Sequence, residues 1–231
     1  MTDRRTAAVM TRSGVKVQTT AAETDAMART FARHKCLILK GFIGPELLPQ
    51  VLADVSRAPF YRKTDGKIAV ELCMRQNALL NQLQFLSDDP ALCAFIARIA
   101  GTGPLAGYDG RVYRFDPGAK HYDSWHDDIH ERWKRRVAMS VNLSPVPYDG
   151  GALEIRHKRT KKMIAAVHNT VPGDAAIFLV DPALEHRVLP VTGGGSRVAF
   201  AGWFFEHTPN AGRQTASSNR VRSFFQTAGL L

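Results

Sequence analysis

Beyond Gly101 the chain breaks into short β-forming runs, each closed by a turn signal. GRVYRFDPG, RVAMSVNLS, GGALEIRH, GDAAIFLV, EHRVLPV and SRVAFAGWFF follow one another. Asp116-Pro117-Gly118, Asp149-Gly150-Gly151, Pro172-Gly173-Asp174 and Gly193-Gly194-Gly195 punctuate them. Such residues end a strand because proline removes a donor and glycine turns the backbone freely. Many short strands at this spacing build a sandwich or barrel. Before Gly101 the texture is helical, with one buried strand at CLILKGF. AAETDAMARTFARHK, MRQNALLNQLQFL and DDPALCAFIARIAG carry apolar residues at helical spacing. Pro45 and Glu46 read as the start of a further helix bearing Leu47, Leu48, Val51, Leu52 and Val55. The expected fold is α+β, mainly β, with an N-terminal layer of helices packed on a C-terminal β-sandwich. Residues 1–20 read as a flexible N-terminal segment and 21–207 as a single domain, helical over 21–100 and β over 101–207. Residues 208–231 form a polar, basic tail.

The chain's 231 residues, 45% of them hydrophobic, suit one large domain with a proper core. No apolar run approaches the roughly 18 residues of a membrane span. The N-terminus is charged without an apolar stretch, so it does not read as a secretory signal. Cys36, Cys73 and Cys93 are too few and too scattered for a disulfide framework or a zinc cluster. They read as buried thiols of a cytoplasmic protein. The net charge is +10, and its excess is local: residues 131–162 hold nine Lys/Arg against three acids. A basic surface of this kind suits an acidic partner.

The stretch KHYDSWHDDIH holds the chemistry-bearing side chains. Two His-x-Asp triplets lie in it, His121-Tyr122-Asp123 and His126-Asp127-Asp128, followed by His130. Residues two apart on a strand point to one side, so either triplet can chelate a metal from one short segment. A non-haem iron site needs two imidazoles and one carboxylate on one face of the ion, with open positions opposite. A second His must then come from a distant strand, and His157, His168, His186 and His207 are placed to supply it; His186 opens the strand EHRVLPV. Arg197 heads the last strand, where Arg197, Ala199, Ala201 and Trp203 share one face. If that face points inward, a buried guanidinium beside two small residues suits a ligand carboxylate held bidentately.

The order His-x-Asp, His186, Arg197 resembles that of the Fe(II)/2-oxoglutarate-dependent dioxygenases, in particular their prolyl-hydroxylase-like branch. YRFDPGAKHYDSWHDD, RVAMSVNLSPVPYDGGALEI and PGDAAIFLVDPALEHRVLPVTGGGSRVAFAGWFF carry the resemblance, over about Arg111 to Phe205. It implies a double-stranded β-helix core of the jelly-roll or cupin-like kind. It also implies His126, Asp128 and His186 as the metal ligands, because relatives place a turn about eight residues before the metal His, as Gly118 stands before His126. Asp127 would then face away. Arg197 would hold the far carboxylate of 2-oxoglutarate, with Tyr113 and Asn142 as further co-substrate contacts. Relatives of the plant type carry Arg-x-Ser, and Ala199 stands in the Ser place here. The cofactors implied are Fe(II), 2-oxoglutarate and O2, with ascorbate as an accessory reductant, and the products include succinate and CO2. A carboxylate at 128, where halogenating relatives carry a small residue, favours hydroxylation.

Substrates in this branch are peptide or protein side chains, amino acids and natural-product intermediates. Trp125, His121 and His130 are expected to touch the substrate, and Trp125 and Trp133 with the basic segment suit an acidic one. An AlkB-like nucleic-acid demethylase is a second reading, against which stands the absence of arginine from VAFAGWFFEH after Arg197. A catalytically silent metal-binding sandwich acting as a binding module is a third. No membrane association is expected, and the sequence carries no signal for oligomeric state.

Overall fold

The computed structural model describes residues 6–66, 69–130, 134–169 and 171–206. Along the chain these form β1 (Ala8–Thr11), β2 (Gly14–Val17), α1 (Ala21–His34), β3 (Cys36–Leu39), α2 (Leu48–Arg57), β4 (Phe60–Asp65), β5 (Ala69–Met74), α3 (Ala78–Ser87), α4 (Pro90–Ala100), β6 (Leu105–Phe115), β7 (Tyr122–His126), β8 (Arg135–Asn142), β9 (Tyr148–Gly150), β10 (Leu153–His157), β11 (Met163–Val167), β12 (Ala175–Leu179), β13 (Leu184–Val188), β14 (Val191–Gly194) and β15 (Arg197–Glu206). His207, Trp133 and the 208–231 tail lie outside the described residues.

An 11-stranded antiparallel sheet runs in the order β11-β10-β13-β7-β5-β6-β15-β8-β12-β3, with β4 paired to β5. It bends into a nearly closed barrel whose two faces carry different residues. Val112, Val137, Met139, Val141, Ile177, Val198, Phe200 and Phe204 pack outward into one core with the helices. Tyr113, Phe115, Ala138, Ile155, Phe178, Leu184, Val188 and Ala199 fill the barrel interior. The sorting follows the period of two along each strand. On β15 the even residues face the helices and the odd ones face the interior.

The helices begin and end where local chemistry dictates. Thr20 and Glu23 form a reciprocal capping box on α1, which ends at Lys35 in the left-handed region. Asp89 caps α4, Pro90 opens it and Gly101 closes it. No helix among the described residues is long and apolar enough to cross a membrane.

Three expectations are corrected. Part of the segment 1–20, expected to be flexible, is ordered: β1 and β2 pair as a hairpin, Ala8 and Met10 are fully buried, and the Val15 N–H donates to Asp89 Oδ2 at 2.7 Å. The 21–100 region is not purely supporting helix plus one strand. FYRKTD and AVELCM pair as β4 and β5, and β5 bonds both β6 and β7, joining the two halves of the barrel. Asp65-Gly66 between the two runs is a hairpin turn signal, but Arg62, Lys63 and Asp65 deprive FYRKTD of the apolar alternation that marks a strand. Finally, α2 starts at Leu48 rather than Pro45, because the Leu47 and Leu48 N–H groups fold back onto the Gly44 carbonyl and Pro49 takes the first-turn position.

Phe200 sits at the middle of β15 with no exposed surface. Truncating it to alanine leaves a cavity between sheet and helices, so Phe200→Ala is expected to lower unfolding free energy by about 3–5 kcal/mol. Chemical denaturation reads this directly, and a loss under about 1 kcal/mol would contradict the packing of β15 against the helical layer.

Candidate active site

The interior face of β6, β15 and β8 is a grid fixed by register. Tyr113, Ala199 and Asn142 lie across from one another, then Arg111, Ala201 and Ser140, then Asp109, Trp203 and Ala138. Arg197 stands opposite Phe115 at the closed end. The residue is 5% exposed. It donates from Nη1 to Tyr113 Oη at 2.6 Å and lies 3.4 Å by Nη2 from Ser140 Oγ. Both partners are neutral hydroxyls, and no carboxylate among the described residues makes an ion pair with Arg197. The two alanines at the centre of the grid leave room beside it. The Asn142 Nδ2, on the same face, is a buried donor without an acceptor, while its Oδ1 accepts from the Ser144 N–H at 2.8 Å. A buried guanidinium without an anion and an unanswered amide donor, flanked by small side chains, fit an incoming carboxylate.

Gly151 permits this arrangement. It has φ +62°, and a Cβ there would stand 2.8 Å from Arg197 Cδ and 3.0 Å from the Tyr148 ring. Tyr148 is itself fixed by donating from Oη to the Asn169 carbonyl at 2.7 Å.

A second cluster gathers on the facing wall. His126 ends β7, His186 lies opposite it on β13, and Asp128 follows two residues beyond β7. Their ligand atoms all lie within 4.8 Å of one another. His126 Nε2 is 3.6 Å from Asp128 Oδ1, and His186 Nε2 is 3.4 Å from Asp128 Oδ2. His126 Nδ1 contacts the Ser124 carbonyl at 2.7 Å and Asp123 Oδ1 at 3.3 Å. These partners hold its proton on Nδ1 and leave Nε2 for the cluster. Asp123 reaches the same side as His126 because a bulge in the β7–β13 ladder makes the step between them three residues instead of two. Trp203 donates from Nε1 to Asp128 Oδ2 at 2.6 Å, which fixes the carboxylate.

The electrostatics follow. Burial alone would raise Asp128, but His126, His186 and Trp203 outweigh it and hold its pKa down to about 2. Burial pushes His186 down to about 4, so its imidazole is neutral and its lone pair available. Burial would lower His126 too, but Asp128 and Asp123 overcome it and raise it to about 9. In the absence of metal a proton therefore sits among these three groups. Two imidazoles and a carboxylate converging on a site that attracts positive charge fit a divalent transition metal.

The structure places the remaining expected residues less uniformly. Tyr113 touches Arg197, and Asn142 shares its face without a direct bond. Asp127 turns away and pairs with Lys158. His130 lines a cleft with Asp109, Arg135, Trp203 and Phe205 at the open end of the grid. Two expected substrate contacts are corrected. Trp125 points to the outside of the barrel, since its neighbour His126 points in, and lies between the Arg156 and Arg187 guanidinium groups at 3.7 and 4.6 Å. His121 is buried and folds onto its own loop, its Nδ1 accepting from the Asp116 N–H at 2.9 Å. His157 likewise serves a turn, accepting from the Arg159 and Thr160 N–H groups.

Three participants escaped the sequence reading. Ser140 was visible in principle, two residues before Asn142 on the same strand face. Trp203 had been placed on the face of Arg197, yet its bond to Asp128 depends on how the two walls meet. The Arg111–Glu71 pair, at 2.8 and 3.1 Å with Glu71 buried, depends on the unread strand β5.

Residues 110–205 match the family described as the 2OG-Fe(II) oxygenase superfamily. A Pseudomonas putida prolyl-4-hydroxylase is 21% identical with a TM-score of 0.59, covering 80% of this chain and 100% of its own. A Trichoplax adhaerens prolyl hydroxylase in complex with a hypoxia inducible factor peptide fragment is 19% identical with a TM-score of 0.60, covering 80% and 89%. SnoK, a non-heme alpha ketoglutarate dependent carbocyclase from nogalamycin biosynthesis, is 14% identical with a TM-score of 0.61, covering 88% and 93%. At these identities the likeness shows the fold, the double-stranded β-helix. No curated protein matches the chain.

The closeness of Gly151 to Arg197 is open to measurement. Gly118 also has a positive φ, +71°, but nothing lies within 4 Å of where its Cβ would be. Gly118→Ala is expected to cost about 1–2 kcal/mol for the backbone alone, and Gly151→Ala at least about 1 kcal/mol more for the added contact. Equal costs in denaturant unfolding would show that Arg197 is not wedged against Gly151.

Proposed function

We propose that this chain, which carries a 2OG-Fe(II) oxygenase domain over residues 110–205 and is on that ground a 2-oxoglutarate-dependent iron dioxygenase, hydroxylates an unactivated C–H of its substrate. The substrate classes considered are a peptide or protein side chain, an amino acid and a natural-product intermediate. In this reading His126, Asp128 and His186 hold the iron, and Arg197 with Tyr113 holds the far carboxylate of 2-oxoglutarate. The observation that carries it is the pairing of two sites in one barrel: a His-Asp-His cluster on one wall and a buried, carboxylate-free guanidinium on the other.

Iron with 2-oxoglutarate and O2 supplies the oxidising power, and succinate and CO2 are the products. The chain's own residues supply position and a dry enclosure. Arg197 offers a planar pair of donors to a carboxylate, which Lys could not match. Trp203 occupies Oδ2 of Asp128 and leaves Oδ1 facing His126. Asp123 and the Ser124 carbonyl orient the His126 ring through Nδ1. Phe178, Ile155 and Leu184 line the wall around His186 and keep water from it. A carboxylate at 128 is the feature that supports hydroxylation as the outcome.

Two measurements test this. Adding Fe(II) and 2-oxoglutarate to anaerobic protein is expected to produce a visible charge-transfer band that His186→Ala abolishes. Oxygen is then expected to release succinate, with Arg197→Met raising the KM for 2-oxoglutarate roughly 100-fold through loss of a charge-assisted contact. A protein that shows neither band nor succinate would instead be a silent metal-binding module.

A further inference from the structure

The open end of the interior grid holds two opposite charges, Asp109 and Arg135, that act on each other at a distance but form no ion pair among the described residues. Asp109 on β6 faces Trp203 across one ladder, and Arg135 on β8 faces Phe205 across the other. A register shift between Phe204 and Phe205 turns Arg135 to the interior, where its guanidinium stacks on the Trp203 ring at 3.6 Å. Its edge makes one long contact, Nη1 to the Asp128 carbonyl at 3.5 Å. Among the described residues no carboxylate forms an ion pair with it. Asp109 accepts from Gln84 Nε2 at 2.9 Å and likewise has no cationic partner among the described residues. Neighbouring charges are treated differently: Arg111 is held bidentately by Glu71, and Arg136 by Glu206 at 3.0 Å.

Asp109, His130, Arg135, Trp203 and Phe205 line one cleft. It borders the metal cluster, since Trp203 and Arg135 both touch Asp128. The two charged residues stand on the strands flanking β15, opposite Trp203 and Phe205, so their backbones are separated by two strand spacings across and two residues along, about 12 Å. A ligand bearing a cation and an anion on one carbon can bond to both, each through a hydrogen bond of about 2.8 Å.

We infer that this cleft recognises the zwitterion of a free α-amino acid, its carboxylate on Arg135 and its ammonium on Asp109, with the side chain directed toward the His126–Asp128–His186 cluster. The inference rests on the oxygenase reading and narrows its substrate class. Stacking on Trp203 holds the guanidinium in place before the ligand arrives, so little freedom is lost on binding. The same pair of charges discriminates. A purely acidic ligand would meet Asp109, a purely cationic one would meet Arg135, and a residue inside a peptide would leave both without a partner.

The test uses the full chain with Fe(II), 2-oxoglutarate and O2, and reads succinate release. The twenty L-α-amino acids are presented free, as N-acetyl derivatives and as carboxamides. At least one free amino acid is expected to raise release above the basal level, and blocking either end is expected to lower kcat/KM roughly tenfold or more. Arg135→Gln is expected to remove the penalty for the carboxamide, and Asp109→Asn the penalty for the N-acetyl form. Arg135→Lys, which keeps the charge, is expected to keep the carboxamide penalty. A loss of folding cannot produce such end-specific changes. If basal succinate release is present but blocked amino acids or peptides match the free ones, or no amino acid stimulates it, the zwitterion inference falls and the oxygenase reading stands. If neither basal release nor the charge-transfer band is observed, both fall.

Discussion

Strand β15 is hydrogen-bonded along both edges, to β6 and to β8, over nearly its whole length. A slip of one residue would break two ladders and exchange its faces. Phe200 and Phe204 would enter the barrel, and Arg197 would enter the apolar layer under the helices. Full burial of a Phe side chain contributes about 1.5–3 kcal/mol, so the outward face locks the register. The inward face then carries Arg197, Ala199, Ala201 and Trp203 to fixed positions. Residues that never touch the site thus determine where its guanidinium and indole stand.

Arg111 and Arg197, both on the interior face, show how position divides the work. Arg111, next to β5, is met by Glu71, and its charge is answered within the protein. Arg197, deeper along the same face, is met by the hydroxyls of Tyr113, Ser140 and Tyr148 and by no carboxylate in an ion pair among the described residues. Hydroxyls orient a guanidinium without neutralising it. Burial disfavours such a charge, and the buried strands around it must offset that cost. If Arg197 holds the co-substrate as proposed, an arriving dicarboxylate supplies the missing anion and couples its binding to the stability of the barrel.

Much of this was legible in the sequence because it rests on short periods. The step of two carried His126 and Asp128 to one side, put Arg197, Ala199, Ala201 and Trp203 on one face, and turned Asp127 outward. The turn residues after Gly101 marked out the strands. What depends on pairing partners was hidden. The bulge that brings Asp123 beside His126 has no local signature, and β5 pairs with strands read far from it. The same period of two excluded Trp125 from the interior, although its nearness in sequence to His126 suggested a substrate contact. His121 looked like a second chelating triplet until the loop around Asp116 claimed its ring nitrogen.

The charge surplus of residues 131–162 first suggested a basic surface for an acidic partner, and the fold distributes it otherwise. On the outer face of the β10–β13–β7 sheet the cations are largely answered: Arg187 by Glu154, Arg156 and Lys161 by Glu185, and Lys158 by Asp127. Trp125 is covered there by the two guanidinium groups. Pairs whose cation is solvent-exposed contribute little to stability, typically about 0–1 kcal/mol each. Inside the mouth of the barrel the balance is reversed. Arg135, from the same basic stretch, is turned inward by the bulge and set against Trp203 without an anion. Asp109 lies two strands away, bonded to the Gln84 amide and without an ion pair among the described residues. Asp109 is exposed, so water screens it, while the half-buried Arg135 beside Trp203 is screened less. Selectivity is therefore concentrated beside the metal cluster, where a single register shift on β8 decides which of the many cations can take part.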